Sequence, residues 1–216
     1  MTYPHKIIAC RALAPALEQF LGTDEPIHVL EIALHLQPDR LRLALLDKVR
    51  ELEQESTTIV LGYGLCGMAL EGVVSSKSTL VVPKVDDCVG MLLGSRARHR
   101  KVMNEHPGSY FLEPNWLETE LNIFTQMHKG LAHISKERRK QLLKVALKNY
   151  DRLVLLAGDD PEVAASEQCS ELAMEYDMGF QRMETDLDLI KRLLFGPWNE
   201  PEFIVATPGT SIPLFL

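Results

Sequence analysis

The strongest constraint on the fold is an alternation along the chain between short β-branched or apolar runs and longer segments with helical periodicity. The run 6–10 precedes a helical pattern over 11–20, and the run 27–34 precedes a helix that opens at Pro38. Further strands are predicted at 57–62, 80–83, 152–157, 179–184 and 202–207. Alternating strand and helix is typical of α/β proteins, so we expect an open, mostly parallel, Rossmann-like sheet with helices on both faces.

Seven further helices are predicted, and one long loop separates two of them. They are predicted at 68–74, 88–93, 96–105, 117–129, 135–149, from the turn at 158–161 to about 176, and 187–195. Residues 106–116 carry two prolines and three aromatic residues without a helical or strand period, which predicts a loop. With 216 residues and 46% hydrophobic content, the chain is expected to form a single α/β domain over 1–216. The similar plan on each side of helices 117–149 is also compatible with lobes at 1–116 and 150–216.

Charge and hydropathy exclude several classes of partner. The formal net charge is −7, whereas nucleic acid and anionic membranes attract proteins that carry a positive field, so neither is an expected partner. No run of about 18 uncharged apolar residues is present to span a bilayer, and no basic segment precedes an apolar run as in a secretory signal. We therefore expect a cytoplasmic protein, in which the four cysteines are free thiols, metal ligands or reactive groups.

A turn with three glycines in six residues places a cysteine directly after the predicted strand 57–62. The segment Gly62-Tyr63-Gly64-Leu65-Cys66-Gly67 allows positive φ angles and close approach of another group. This is the geometry of a site, with Cys66 at its centre.

Three further thiol or imidazole side chains follow predicted strands in the same way. Cys10, His35 and Cys88 come after strands 6–10, 27–34 and 80–83. Parallel strands end at one edge of their sheet, where ligands bind, so Cys10, His35, Cys66 and Cys88 are expected to meet there. Three cysteines and one histidine form a recognised zinc set, and three thiolates with an open position also suit an iron–sulfur cluster.

The competing interpretation is packing. A free cysteine behaves as a small buried hydrophobe, and a histidine at a strand end can hydrogen-bond to the backbone instead of a metal. Cys169 lies within a predicted helix and is expected to be a packing residue. Cys88 is expected at a helix N-terminus capped by Asp86 or Asp87, a position that favours a thiolate nucleophile.

Recognition of a substrate is assigned to residues that follow Cys88. The guanidinium group of Arg96 is expected to hydrogen-bond to a small anionic molecule. Tyr110 and Trp116 in the predicted loop are expected to contact the apolar part of that molecule. Alternatively, the arginine lies on a solvated basic helix. Signatures of dinucleotide-binding, P-loop and serine-hydrolase proteins are missing from the sequence.

Several of these motifs together resemble a known family. They are Cys10 after the first strand, Leu34-His35-Leu36-Gln37-Pro38, Tyr63-Gly64-Leu65-Cys66-Gly67, Pro83-Lys84-Val85-Asp86-Asp87-Cys88, Leu92-Leu93-Gly94-Ser95-Arg96, Pro107-Gly108-Ser109-Tyr110 through Trp116, and Pro208-Gly209. In this order they resemble the DUF1638 family, a domain of unknown function, with Asn115 where a glycine is expected before Trp116. The resemblance implies a genomic setting beside corrinoid-dependent methyltransferases.

Three hypotheses follow from the residues and the resemblance. The first is a metalloprotein that holds zinc or an iron–sulfur cluster and serves one-carbon or corrinoid-linked methyl transfer. The second is a non-catalytic protein that binds or delivers a corrinoid or another small ligand, with a corrinoid protein or methyltransferase as partner. The third is a metal-free thiol enzyme that uses Cys88. The sequence alone does not decide whether the protein is an enzyme.

Overall fold

The α/β class is confirmed. A computed structural model describes residues 4–21, 27–31, 37–66, 68–119, 121–158, 163–198 and 201–214. The chain forms two compact units, which we call unit 1 (1–98 with 186–216) and unit 2 (99–185). These bounds differ from the sequence-derived lobes 1–116 and 150–216, because the last helix and strand belong to the same unit as the N-terminal strands. None of the helices in the described ranges is long and apolar enough to cross a bilayer.

Unit 1 is built on a five-stranded sheet. Its strands are β1 (Lys6–Cys10), β2 (Ile27–Leu30), β3 (Thr58–Gly62), β4 (Thr79–Pro83) and β8 (Phe203–Ala206). Their order is β2-β1-β3-β4-β8, and only β8 is antiparallel to its neighbour. Ile8 faces His28 on one side and Leu61 on the other, and Ile8 and Leu61 are fully buried. Two-sided burial of strands is typical of parallel sheets and explains their nearly continuous apolar sequences.

The helices of unit 1 bury single apolar stripes. They are α1 (Ala14–Glu18), α2 (Pro38–Leu52), α3 (Cys88–Leu92), the start of α4 (Arg96–Glu105) and α9 (Asp188–Phe195). In α2 the buried residues are Leu41, Leu45, Val49 and Leu52, the spacing expected for one helix face. Proline at the start of α2 removes no intrahelical hydrogen bond, so it can open the helix.

Unit 2 has its own parallel sheet. The strands β5 (Ser109–Leu112), β6 (Arg152–Ala157) and β7 (Gly179–Glu184) pair in that order. The helices α5 (Pro114–Glu118), α6 (Ile123–Gly130), α7 (Lys136–Ala146) and α8 (Val163–Glu175) follow the strands in the same unit. Cys169 of α8 is fully buried in the same apolar cluster as Leu153, Leu155 and Phe124, as the packing interpretation predicted.

Three predicted segments were wrong. The helix predicted at 117–129 is divided into α5 and α6, because Asn122 caps a new helix, where its side-chain oxygen accepts a hydrogen bond from the N–H of Thr125 at 2.9 Å. The loop predicted at 106–116 contains β5 and the start of α5, because the run 109–112 pairs with β6 and Pro114 can open a helix. The helix predicted at 68–74 is a series of turns, since Met68 and Gly72 have φ angles of 68° and 78°. The backbone N–H of Gly72 donates to Ile212, which replaces the helical bond.

Candidate functional site

Three of the four predicted ligands lie at or just beyond the carboxyl ends of adjacent parallel strands. Cys10 is the last residue of β1, Cys66 follows the end of β3 by four residues, and Cys88 follows the end of β4 by five. The order β1-β3-β4 makes these strands neighbours, so the chain leaves the sheet three times at the same edge. Such an edge is the usual position of a ligand site in a parallel α/β sheet.

The turn after β3 is fixed to the segment after β4. The backbone N–H of Leu65 donates to the carbonyl oxygen of Val85 at 2.8 Å, and that of Cys66 donates to Asp86 at 3.1 Å. A methyl group added at Gly64 would lie 2.6 Å from the Cα of Asp87, closer than packed atoms approach. Glycine at this position is therefore what allows the two segments to touch.

Cys66 has an unusual backbone. Its φ angle is 45°, in the left-handed region that costs a residue with a Cβ about 1–2 kcal/mol. Backbone strain of this kind is retained where the surrounding structure requires it, and it concentrates at functional sites. The glycines around Cys66 made the turn predictable, but the strain falls on the cysteine itself.

Cys88 begins α3, as predicted, with Asp87 as the N-cap. A carboxylate oxygen of Asp87 accepts a hydrogen bond from Gly90 at 3.0 Å. The thiolate expected from the helix terminus is not supported, because burial and the Asp87 charge raise the pKa of Cys88, with smaller contributions from Cys10 and Cys66. A five-residue helix supplies too small a dipole to offset both effects.

The thiols of Cys10 and Cys66 behave in the same way. Burial raises the pKa of Cys10 to about 11, although the backbone N–H of Ala12 donates to its sulfur at 3.4 Å. The pKa of Cys66 is raised by burial first, then by the charges of Cys10 and Asp87. Cys10 thus contributes to the raised pKa of Cys66, and both Cys10 and Cys66 contribute to the raised pKa of Cys88. The three cysteines lie at or just after the ends of adjacent strands at one edge of the sheet, and we call them the thiol cluster (Cys10, Cys66 and Cys88).

Tyr63 belongs to this neighbourhood and was missed as a site residue. It is fully buried, and its pKa is raised by burial and by the charges of Cys10 and Cys66. The signal was its place between Gly62 and Gly64, where an aromatic residue is flanked by two glycines.

The fit of a metal ion to these residues is mixed. Three thiols are the donors that zinc and iron–sulfur clusters prefer. Within the described ranges, however, no three histidine, cysteine, aspartate or glutamate side chains are already placed to hold an ion together. His35 lies outside the described residues, so its role as a ligand stays a prediction.

Arg96 makes an internal ion pair. Its Nε and Nη2 atoms both donate to Oδ1 of Asp86, at 2.9 and 2.7 Å. The carbonyl of Asp86 in turn accepts the bond from Cys66, so the guanidinium is connected to the cysteine turn through one residue. Arg96 also borders a cavity of about 260 Å³ with Lys84, Ser95 and Glu202, and no cysteine lines that cavity.

Tyr110 and Trp116 are packed within unit 2. The hydroxyl of Tyr110 accepts a hydrogen bond from Ile123 at 3.0 Å, and its ring meets Phe124 and Tyr150 edge to face. Trp116 is 5% exposed on α5. Their assignment to substrate binding stays a prediction.

Comparison with protein-family models gives one match. The model described as "Protein of unknown function (DUF1638)" matches residues 29–194, more than half of the chain. The match includes Cys66, Cys88 and Arg96, whereas Cys10 precedes it. No curated protein and no solved structure matches the chain.

Proposed function

Because the chain belongs to the DUF1638 family, whose description assigns no activity, we propose a function from the site itself: the protein holds a thiophilic metal centre through Cys10, Cys66 and Cys88. The centre is zinc or an iron–sulfur cluster, and His35 is the proposed fourth ligand. The observation that supports this is the position of the three cysteines at or just after the carboxyl ends of three adjacent parallel strands, where the turn that carries Cys66 is hydrogen-bonded to the segment that leads to Cys88.

The electrostatics of the thiol cluster favour a cation. Three protonated thiols are neutral, and the carboxylate of Asp87 adds negative charge that opposes thiolate formation at Cys66 and Cys88. A bound metal ion reverses this effect, since it stabilises thiolates and is attracted by the same carboxylate. A metal-free thiolate nucleophile at Cys88 has no such compensation, so the metal hypothesis accounts better for the arrangement.

The residues around the cluster have distinct tasks in this proposal. The sulfur of Cys10 accepts a hydrogen bond from the backbone after β1, and the strained turn places Cys66 after β3, the neighbour of β1. When bound, zinc would activate a substrate thiol, whereas an iron–sulfur cluster would transfer electrons. The resemblance to a family encoded near corrinoid-dependent methyltransferases favours a role in one-carbon or corrinoid-linked methyl transfer.

Metal analysis of anaerobically purified protein tests the proposal. We expect zinc or iron in stoichiometric amount: a colourless protein with about one zinc per chain, or a brown protein with cluster iron and sulfide. Red-orange protein would instead indicate a bound corrinoid. Cys66→Ser and Cys88→Ser should each lose most of the metal while the far-ultraviolet circular dichroism stays unchanged.

Cys169→Ser is the matched control, because Cys169 is a cysteine buried in the core of unit 2. It should retain the metal and lose only stability. Metal-free protein after anaerobic isolation and after incubation with zinc or reconstitution with iron and sulfide would contradict the proposal. Equal metal content in all three variants would show that the cysteines are packing residues.

A further inference from the structure

Unit 2 contains a cavity of its own, with a volume of about 240 Å³. It lies among helices α6, α7 and α8, and its lining divides into an apolar part and a basic part. All its lining residues belong to unit 2, and none belongs to the thiol cluster.

Aromatic and aliphatic side chains form the apolar part. The rings of Phe124 and Tyr176 lie 5.4 Å apart between their centroids, and Leu143 and Leu172 complete the surface. Phe124 and Leu143 are buried members of the unit 2 core, so this part of the cavity is rigid packing. It would accept a flat or aliphatic group out of water.

Basic side chains surround the apolar part. Lys136, Arg139, Lys140 and His128 line the cavity, and Glu175 is the one acidic residue among its described lining residues. The ammonium of Lys140 lies 5.9 Å from the centre of the Tyr176 ring and 3.7 Å from the Glu175 carboxylate. In a chain with a net charge of −7, this concentration of positive charge is local.

The basic groups are not equally available. Arg139 uses Nη1 to donate to the carbonyl oxygens of Leu131, Ala132 and Ile134, so it is fixed against the segment after α6. Lys136 makes no ion pair with a residue in the described ranges, and Lys140 pairs only loosely with a half-exposed Glu175. The two lysines can therefore turn toward a ligand, while Arg139 contributes a fixed positive charge.

We infer that this cavity binds a small organic anion, with its apolar or aromatic body against Phe124 and Tyr176 and its charged group between Lys136 and Lys140. Lys136, Arg139 and Lys140 belong to the helix predicted at 135–149, to which the sequence analysis assigned no ligand. Binding at this cavity requires neither a metal nor the thiol cluster, so its test is independent of the test of the proposed function.

Phenyl phosphate is a suitable probe, because it joins an aromatic body to a dianionic group. Titration followed by calorimetry and by chemical-shift changes in the purified full-length protein should give a dissociation constant of about 1 mM or lower. Inorganic phosphate has the charge without the body, and benzyl alcohol has the body without the charge. Each should bind at least about tenfold more weakly.

Charge substitutions give effects of opposite sign. Lys140→Gln should weaken binding of phenyl phosphate about three- to tenfold, whereas Glu175→Gln should strengthen it by a similar factor, since it removes the negative charge beside Lys140. Lys148→Gln, an exposed change just beyond α7 and outside the cavity, should leave the affinity unchanged. The inference is overturned by no binding up to 20 mM, by equal binding of inorganic phosphate, or by equal effects of Lys140→Gln and Lys148→Gln.

Discussion

At the scale of single residues, the geometry of the site depends on positions where a small change in shape or charge has a large effect. Gly64 is such a position, since its backbone touches that of Asp87. Cys66, two residues later, carries backbone strain in the same turn. The site is therefore sensitive to substitutions that do not remove a thiol.

Gly64→Ala should destabilise the protein and disturb the thiol cluster. Its Cβ would lie 2.6–2.8 Å from three backbone atoms of Asp87, and backbone cannot move aside as a flexible side chain can. We expect a loss of about 1–3 kcal/mol in the free energy of unfolding, measured by urea denaturation, and reduced metal content. Gly130→Ala is the control, because a Cβ there meets nothing within 4 Å. Equal stability of both variants would contradict the close approach.

Glu53 is a second critical residue, remote from the thiols in the chain. Its buried carboxylate accepts hydrogen bonds from the Ser75 hydroxyl at 2.6 Å and from the backbone and hydroxyl of Ser76 at 2.7 and 2.8 Å. These bonds, that of the Ser75 hydroxyl first, lower the pKa of Glu53 to about 2. The carboxylate thereby ties the end of α2 to the turn before β4.

The Glu53 pKa predicts a pH dependence of stability. A carboxylate whose pKa is lowered in the folded state stabilises fully above its unfolded pKa, so its contribution should be lost as the pH falls from about 4.5 to 2. Glu53→Gln should cost about 1.5–3 kcal/mol at pH 7, and the cost should shrink over that interval. Exposed Glu71→Gln is the control and should have little effect. A cost independent of pH would mean that the charge of Glu53 contributes nothing.

At the scale of elements, the strand and helix periods predicted much of the architecture. The strands at 6–10 and 152–157 occur as expected, and the predicted strand ends suffice to place Cys10, Cys66 and Cys88 at one edge of the sheet. Strand 109–112 was missed because two prolines and a glycine surround it and only pairing with β6 makes it a strand. The assignment of β8 to unit 1 depends on long-range packing, which local patterns do not contain.

The role of Arg96 illustrates the same limit for the site. From its sequence position, we predicted that the guanidinium of Arg96 binds the anionic group of a ligand. In the structure, the guanidinium pairs with an anionic group of the protein itself, the carboxylate of Asp86, ten residues earlier. We expect Arg96 to position the cysteine turn through the backbone of Asp86.

A double-mutant cycle separates the two roles of Arg96. If Arg96 positions the turn through Asp86, then Arg96→Met and Asp86→Asn should each weaken zinc affinity by about three- to tenfold, and the double variant should be no worse than either. Competition with a chromophoric chelator measures these affinities. Additive losses, or an effect of Arg96→Met alone, would contradict the positioning role and favour direct recognition of a ligand.

At the scale of the whole molecule, metal binding should be linked to proton release. The pKa values of Cys10, Cys66 and Cys88 are all raised, so the thiols are protonated near neutral pH and must lose protons to an incoming ion. Apparent zinc affinity should rise steeply between pH 6 and 8, by about tenfold per pH unit for each proton released. A chelator competition series at constant ionic strength measures the slope, and a slope near zero would exclude displacement of thiol protons.

The central claim is that three thiols of unit 1 act together as ligands of one metal centre. X-ray absorption spectroscopy at the metal edge of anaerobically prepared protein counts those ligands directly. We expect three sulfur scatterers, at about 2.3 Å for zinc, and the loss of one sulfur in each variant of Cys10, Cys66 or Cys88. A first shell of only nitrogen and oxygen, or one that is the same in Cys66→Ser as in the natural chain, would contradict it.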